Sequence, residues 1–192
     1  MIHPDTQLNV VSPKLGYGVF ATHLIPKGTI VYIKDALEIA IPVDSPLLDR
    51  PEYEQVIRKY SYIEAGKHII SWDIEKYVNH SCDSNTLSTG YGFEIVVRDI
   101  EPGEELRDDY GPFNVDYEFA CGCGAKACRG KIRQADFSTH APHWDSRVKE
   151  ALNFYHQVEQ PLEIYMDEET QKSLYYYLET GKDYRSIEAL KE

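Results

Sequence analysis

Tyr77-Val78-Asn79-His80-Ser81-Cys82-Asp83-Ser84-Asn85 concentrates amide, imidazole, hydroxyl and thiol groups in one short stretch. In isolation it reads as a polar turn with a satisfied histidine, and its weight comes from what stands on either side. Upstream, Gly16-Tyr17-Gly18 heads a β-rich run, where paired glycines let a ligand approach backbone atoms. Alone, such a pair is an ordinary turn. Downstream, Gly103-Glu104-Glu105-Leu106-Arg107-Asp108-Asp109-Tyr110-Gly111 places Tyr110 just after a short predicted strand. By itself that tyrosine is one more half-buried aromatic.

Cys82 stands apart from Cys121, Cys123 and Cys128, which share the run Cys121-Gly122-Cys123-Gly124-Ala125-Lys126-Ala127-Cys128. Three thiolates from one loop and a fourth from elsewhere make a tetrahedral sulfur set, the usual form of a structural zinc site. Lys126, Arg129, Lys131 and Arg133 are expected to favour the thiolate forms. Two disulfides, or four buried thiols, are the other readings. Met1-Ile2-His3-Pro4 opens no secretory pattern, so a reducing interior is expected and metal is preferred over bridges.

The chain has 192 residues, 42% hydrophobic and 27% charged, which is enough for a buried core and unlike a disordered segment. A net charge of −12 disfavours tracking of nucleic-acid phosphates and suits a basic substrate such as a lysine-rich protein segment. No apolar run is long enough for a membrane span, so the chain reads as soluble and intracellular.

Tyr17–Ala21, Thr29–Ile33, His68–Trp72 and Phe93–Val97 read as strands, and Pro51 opens a helix with Tyr53, Val56, Ile57 and Tyr60 on one face. Beyond the cysteines, Val148, Ala151, Leu152, Tyr155 and Val158 repeat at helical spacing after Asp145 or Ser146 as a cap. Asp167 caps a second helix that Gly181 stops, with Leu174, Tyr177 and Leu178 inward. These tyrosine-rich helices read as a cover packed on the β-body, or else as a docking surface for a partner.

In this order, and followed by Cys-x-Cys-x₄-Cys-Arg-Gly, the three segments resemble the SET-domain protein lysine methyltransferases over about residues 8 to 133. The resemblance implies a mainly β fold of small sheets, with the Asn79 segment threaded beneath a loop near Tyr110. It divides the chain into a SET domain at 1–117, a post-SET zinc segment at 118–134 and a helical extension at 135–192. By the same resemblance, Gly16, Tyr17, Gly18, Asn79 and His80 hold S-adenosylmethionine. Tyr110 is the essential tyrosine beside the transferring methyl, and Cys82, Cys121, Cys123 and Cys128 hold one structural zinc. Tyr60 and Tyr62 match tyrosines lining a lysine channel. The implied reaction is methyl transfer to a lysine amine of a protein, and a SET-like module that only binds a protein partner is the alternative.

Two positions depart from the family. Lys76-Tyr77-Val78 replaces the usual arginine-phenylalanine-isoleucine, and Asp108 stands where relatives place an aromatic that limits the number of methyls added. Side chains two apart in a strand share a face, so Asp108 is expected to point as Tyr110 does. It is expected either at the channel mouth, attracting the substrate ammonium, or as a solvated strand-end acid paired with Arg107 or Lys76.

Overall fold

Ile30, Val31, Tyr32 and Ile33 are all buried, so this strand must be covered on both faces. In the computed structural model, which describes residues 1–115 and 117–191, it is. The hairpin of β1 (Thr6–Ser12) and β2 (Gly16–Ala21) lies on one side of an antiparallel sheet of β3 (Ile30–Ile33), β9 (Phe93–Val96) and β8 (Thr86–Ser88). Val19, Ala21, Val31, Val78, Val96, Ile100 and Leu106 fill that interface. Ile30, Leu87, Phe93 and Ile95 pack on the other face against Ala141, Trp144, Val148 and Leu152.

A second antiparallel sheet joins β4 (Ile39–Pro42), β6 (Lys67–Ile70) and β5 (Ser61–Glu64), with α1 (Pro51–Tyr60) beside it. The predicted inward face of α1 is only partly realised. Ile57 alone is buried, while Tyr53 lies under the Arg50 guanidinium and Tyr60 packs edge-on to Tyr77. A sheet of four-residue strands offers this helix little area to cover, and Val56 stays exposed.

Strands β7 (Asn79–His80) and β10 (Arg107–Asp108) pair in parallel, Asn79 opposite Arg107 and His80 opposite Asp108. The Asn85 side chain accepts from the Arg107 amide and donates to the Glu105 carbonyl, which laces residues 79–85 to 105–108. Strands β11 (Phe119–Ala120) and β12 (Lys131–Ile132) then close the cysteine loop at its base.

The helical extension exists, but its first helix, α2 (Asp136–Leu152), starts well before the expected cap. Pro142 lies inside it without ending the helix. Asp145 is no cap. Its carboxylate accepts from the Tyr184 and Ser186 hydroxyls and the Ile187 amide, anchoring the C-terminal segment. Tyr155 falls in a following 3₁₀ turn. Helix α3 (Glu168–Thr180) is capped by Asp167, whose side chain accepts from the Glu169 and Thr170 amides, and ends at Gly181 in the left-handed region. No helix among the described residues is long and apolar enough to cross a membrane.

Candidate active site and metal centre

The loop before β2 turns at Gly16, with φ of +88° and open space where a Cβ would stand. Gly18 is required for the opposite reason, since a Cβ there would meet Glu105 Oε1 at 2.6 Å and Asn79 Nδ2 at 3.0 Å. Those neighbours are fixed to each other. The Asn79 side-chain amide donates to the Tyr17 carbonyl (3.0 Å) and to Glu105 Oε1 (2.8 Å). Both of its hydrogens are therefore used inside the protein, tying the hairpin to β7. Tyr17, half exposed, meets Tyr77 edge-on, and Tyr77 meets Tyr60.

On the other side of β7, the Tyr110 hydroxyl donates to the Val78 carbonyl at 2.5 Å. Its ring stacks on Phe113 with centroids 4.9 Å apart, and Phe113 packs on Tyr62. Burial, then the charges of Glu75, Asp108 and Glu94, raise the Tyr110 pKa, so the hydroxyl stays protonated. Tyr60 and Tyr62 thus part company. Tyr62 joins the Tyr110 wall, whereas Tyr60 belongs to the Tyr17–Tyr77 group.

His80 connects this wall to the thiols. The Tyr110 amide donates to His80 Nδ1 at 3.2 Å, and the Asp108 carbonyl, equally near, already accepts from the Ser81 amide. A ring accepting at Nδ1 carries its proton on Nε2, which lies 3.4 Å from Cys82 Sγ. Burial holds His80 below the ordinary imidazole range, so this ring is neutral.

None of the four cysteines is in a disulfide. Cys121 Sγ lies 3.8 Å from Cys82 Sγ and 3.5 Å from Cys128 Sγ, and the Cys82 amide donates to Cys123 Sγ. A tetrahedron of Zn–S bonds of about 2.3 Å has edges of about 3.8 Å, so these separations fit one zinc. The ligand atoms of His80, Cys82, Cys121 and Cys123 also lie within 4.8 Å of one another, which puts the imidazole against the thiol cluster. Burial pushes the Cys82 and Cys121 thiols up, but at Cys123 the Cys82 and Ala125 amides and the neighbouring thiols draw the pKa down to about 6. Lys131 and Arg133 pair with Glu118; Arg129 pairs with Asp109, yet its charge and its amide still favour the Cys82 thiolate.

The SET-domain family model matches residues 16–111, half of the chain. The chain belongs to the SET-domain family. It is 30% identical over 139 residues to the histone-lysine N-methyltransferase TRX1 of Oryza sativa subsp. japonica, covering 63% of this chain and 13% of that one. It is 28% identical over 164 residues to the histone-lysine N-methyltransferase mes-4 of Caenorhabditis elegans, covering 68% and 18%. The chain therefore spans less than a fifth of the length of these relatives. The methyltransferase domain of human histone-lysine N-methyltransferase SETMAR superposes with a TM-score of 0.44 at 21% identity, covering 69% of this chain and 58% of that one.

Within this SET domain, Asp108 is neither at a channel mouth nor solvated. It is fully buried. Arg107 pairs with Glu105, and the Lys76 ammonium donates to the carbonyls of Ser71, Trp72 and Asp73, so neither expected partner reaches it. The strand period fixes a side chain's face but not its depth, and the packing of β10 against β8 supplies the depth.

Asp109, to which the sequence reading gives no role of its own, is the hub. Its carboxylate accepts from the Arg129 guanidinium of the cysteine loop, the Gly111 amide (2.9 Å) and Trp144 Nε1 of α2 (3.1 Å). A Cβ on Gly111 would stand 2.3 Å from the Trp144 ring. The Asp-Asp-Tyr-Gly run held the signal, but only the true start of α2 reveals the partner.

Proposed function

We propose that this chain transfers a methyl group from S-adenosylmethionine to the side-chain amine of a lysine in a basic protein. The observation that carries the reading is the parallel pairing of β7 with β10. It sets the Tyr110 hydroxyl on the Val78 carbonyl, one residue from Asn79, with Tyr62 and Phe113 forming an aromatic wall. S-adenosylmethionine, when bound, supplies a methyl group on a sulfonium. The open space at Gly16 and the uncharged Tyr17–Tyr77 faces suit such a cation, which tyrosine rings attract. Asn79 and the backbone of Tyr17 and His80 complete that side. The Tyr62–Phe113–Tyr110 wall aligns the lysine stem without fixed charge, so positioning is the protein's main contribution.

Cys82, Cys121, Cys123 and Cys128 hold one zinc, with the His80 N–H on the Cys82 thiolate as an orienting partner. Four thiolates leave no open coordination position, so this metal shapes the loop and takes no part in the chemistry. Relatives named histone-lysine N-methyltransferases support a histone-like substrate, and a net charge of −12 suits a basic one.

The test is incubation of the purified chain with methyl-labelled donor and mixed histones, with modified residues located by mass spectrometry. Label on lysine is expected. A zinc-loaded, donor-binding preparation that labels nothing would point instead to a module that only binds protein.

A further inference from the structure

The strongest unexplained feature is a group of buried acids behind the aromatic wall. In β9, Phe93 and Ile95 face the helical core, so Glu94 faces the opposite way, between its cross-strand neighbours Tyr32 and Ser88. It is 6% exposed and lines a cavity of about 330 Å³ together with Tyr32, Tyr62, Phe113 and Tyr165. Its carboxyl neighbours that of Asp108, whose charge adds to burial in raising the Glu94 pKa. Asp108 Oδ1 accepts from the Asp109 amide at 2.7 Å, whereas Oδ2, buried with its whole residue, receives no hydrogen from any fixed donor. An orphaned carboxylate oxygen facing a second buried carboxyl is satisfied when the pair shares one proton and one negative charge.

We infer that the Glu94–Asp108 pair accepts the proton that the substrate ammonium must lose before it can be methylated. The inference rests on the methyl-transfer reading above. When an ammonium enters the cavity, one N–H bond breaks and its electron pair stays on nitrogen. The proton arrives on the cavity-facing oxygen of Glu94, while the proton Glu94 already holds passes to Asp108 Oδ2. Both acids are then neutral and the amine has a free lone pair. After transfer of the methyl the extra proton leaves to solvent, so the reaction releases one proton per methyl.

The aromatic wall cannot do this work, because Tyr62 and Tyr110 are phenols held protonated by burial. The pair is tuned for it. Burial pushes Asp108 up to about 7, close to the operating pH at which a base is most effective, and raises Glu94 well above the usual carboxylate range. Glu75 from the turn before β7, Asp109 and Tyr110 from its own segment, Arg147 from α2 and the Met1 amino group act on the pair electrostatically, and Lys34, paired with Glu64, and Asp167 line the same cavity. Arg147 donates to the Ser84 carbonyl and hydroxyl and forms no ion pair with either acid, although its charge partly offsets the burial of Asp108.

Two readouts test this. The first uses a lysine-rich histone-tail peptide labelled with ¹⁵N at the ε-position, bound together with the spent donor S-adenosylhomocysteine. At pH 8 its nitrogen should resonate as a neutral amine in the wild type and as an ammonium in Glu94→Gln and Asp108→Asn. An ammonium in the wild type, or a neutral amine in both variants, would overturn the inference. The second is the pH profile of methyl transfer. Each variant should lose about 100-fold at pH 7, and the deficit should shrink about tenfold per unit toward pH 9 as solvent deprotonates the amine. A deficit constant with pH would mean a structural role only. Should the wild type bind the peptide and never methylate it, the proposed function fails, while the nitrogen resonance still reads the proton transfer.

Discussion

The Tyr110 hydroxyl is held by the Val78 carbonyl and its ring by Phe113 and His80, so its place is set before any substrate arrives. Tyr110→Phe keeps the ring contacts and removes only the hydroxyl. Methyl transfer should fall by about 100-fold or more, the size of effect that misplacement of reacting groups produces, while donor affinity measured by calorimetry stays unchanged. A comparable loss of donor affinity would move Tyr110 from the reacting centre to the binding surface. At this scale the sequence was informative about identity and poor about depth. Asn79, His80 and Tyr110 stood out because unusual side chains cluster there, and they do meet. Asp108 stood out as a departure, yet nothing in a strand's alternation distinguishes a rim position from one sealed against Glu94. Asn79 carries a similar lesson, because its amide is already spent on Tyr17 and Glu105.

Helix α2 and the cysteine loop act on the same few residues from opposite sides. Trp144 fills the core, donates to Asp109 and leaves no room for a side chain at Gly111, while Arg129 reaches Asp109 from the loop. Trp144→Phe retains most of the apolar volume but leaves Asp109 Oδ2 without that donor. Urea unfolding should show a loss of about 1–3 kcal/mol, against about 3–5 kcal/mol for Trp144→Ala. The backbone of the loop is closed by two-residue strands and by the Cys121 and Cys128 amides bonded to the Gly130 and Ala125 carbonyls. Chelation of zinc should therefore speed hydrogen exchange across 119–132 while the β3–β9–β8 amides stay protected, and Cys128→Ser should lose the metal in elemental analysis. The helix was half legible. Its second half repeats apolar residues at helical spacing, but Pro142 and the weak helix formers Ser138, Thr139, His140 and His143 hid the first half. Burial of Phe137, Ala141 and Trp144 overrides that local preference.

Across the whole molecule, one central sheet separates two cores, and the segments that meet at the site come from positions nearly a hundred residues apart in the chain. Periodicity cannot reveal a two-residue parallel pairing such as β7 with β10, so that part of the architecture was available only through resemblance to the family. The same packing seals several acids inside a chain already carrying a net charge of −12. Glu75 is the clearest case for stability. Burial first, then Asp73, Glu38 and Asp108, push it from the ordinary value of 4.5 up to about 8. A folded-state acid with a raised pKa binds its proton more tightly than the unfolded chain does. Its penalty is therefore absent below about pH 4.5, grows as pH rises and is complete above about pH 8. Replacing it by a neutral isostere should remove a pH-dependent cost and little else. Glu75→Gln is expected to raise stability by on the order of 2 kcal/mol at pH 9 and to change it little at pH 5, read as the melting temperature in matched buffers. Salt should not reproduce the gain, because screening ions do not reach a group this deep. Equal shifts at both pH values would mean that the substitution improves packing and that the buried charge of Glu75 is tolerated without cost.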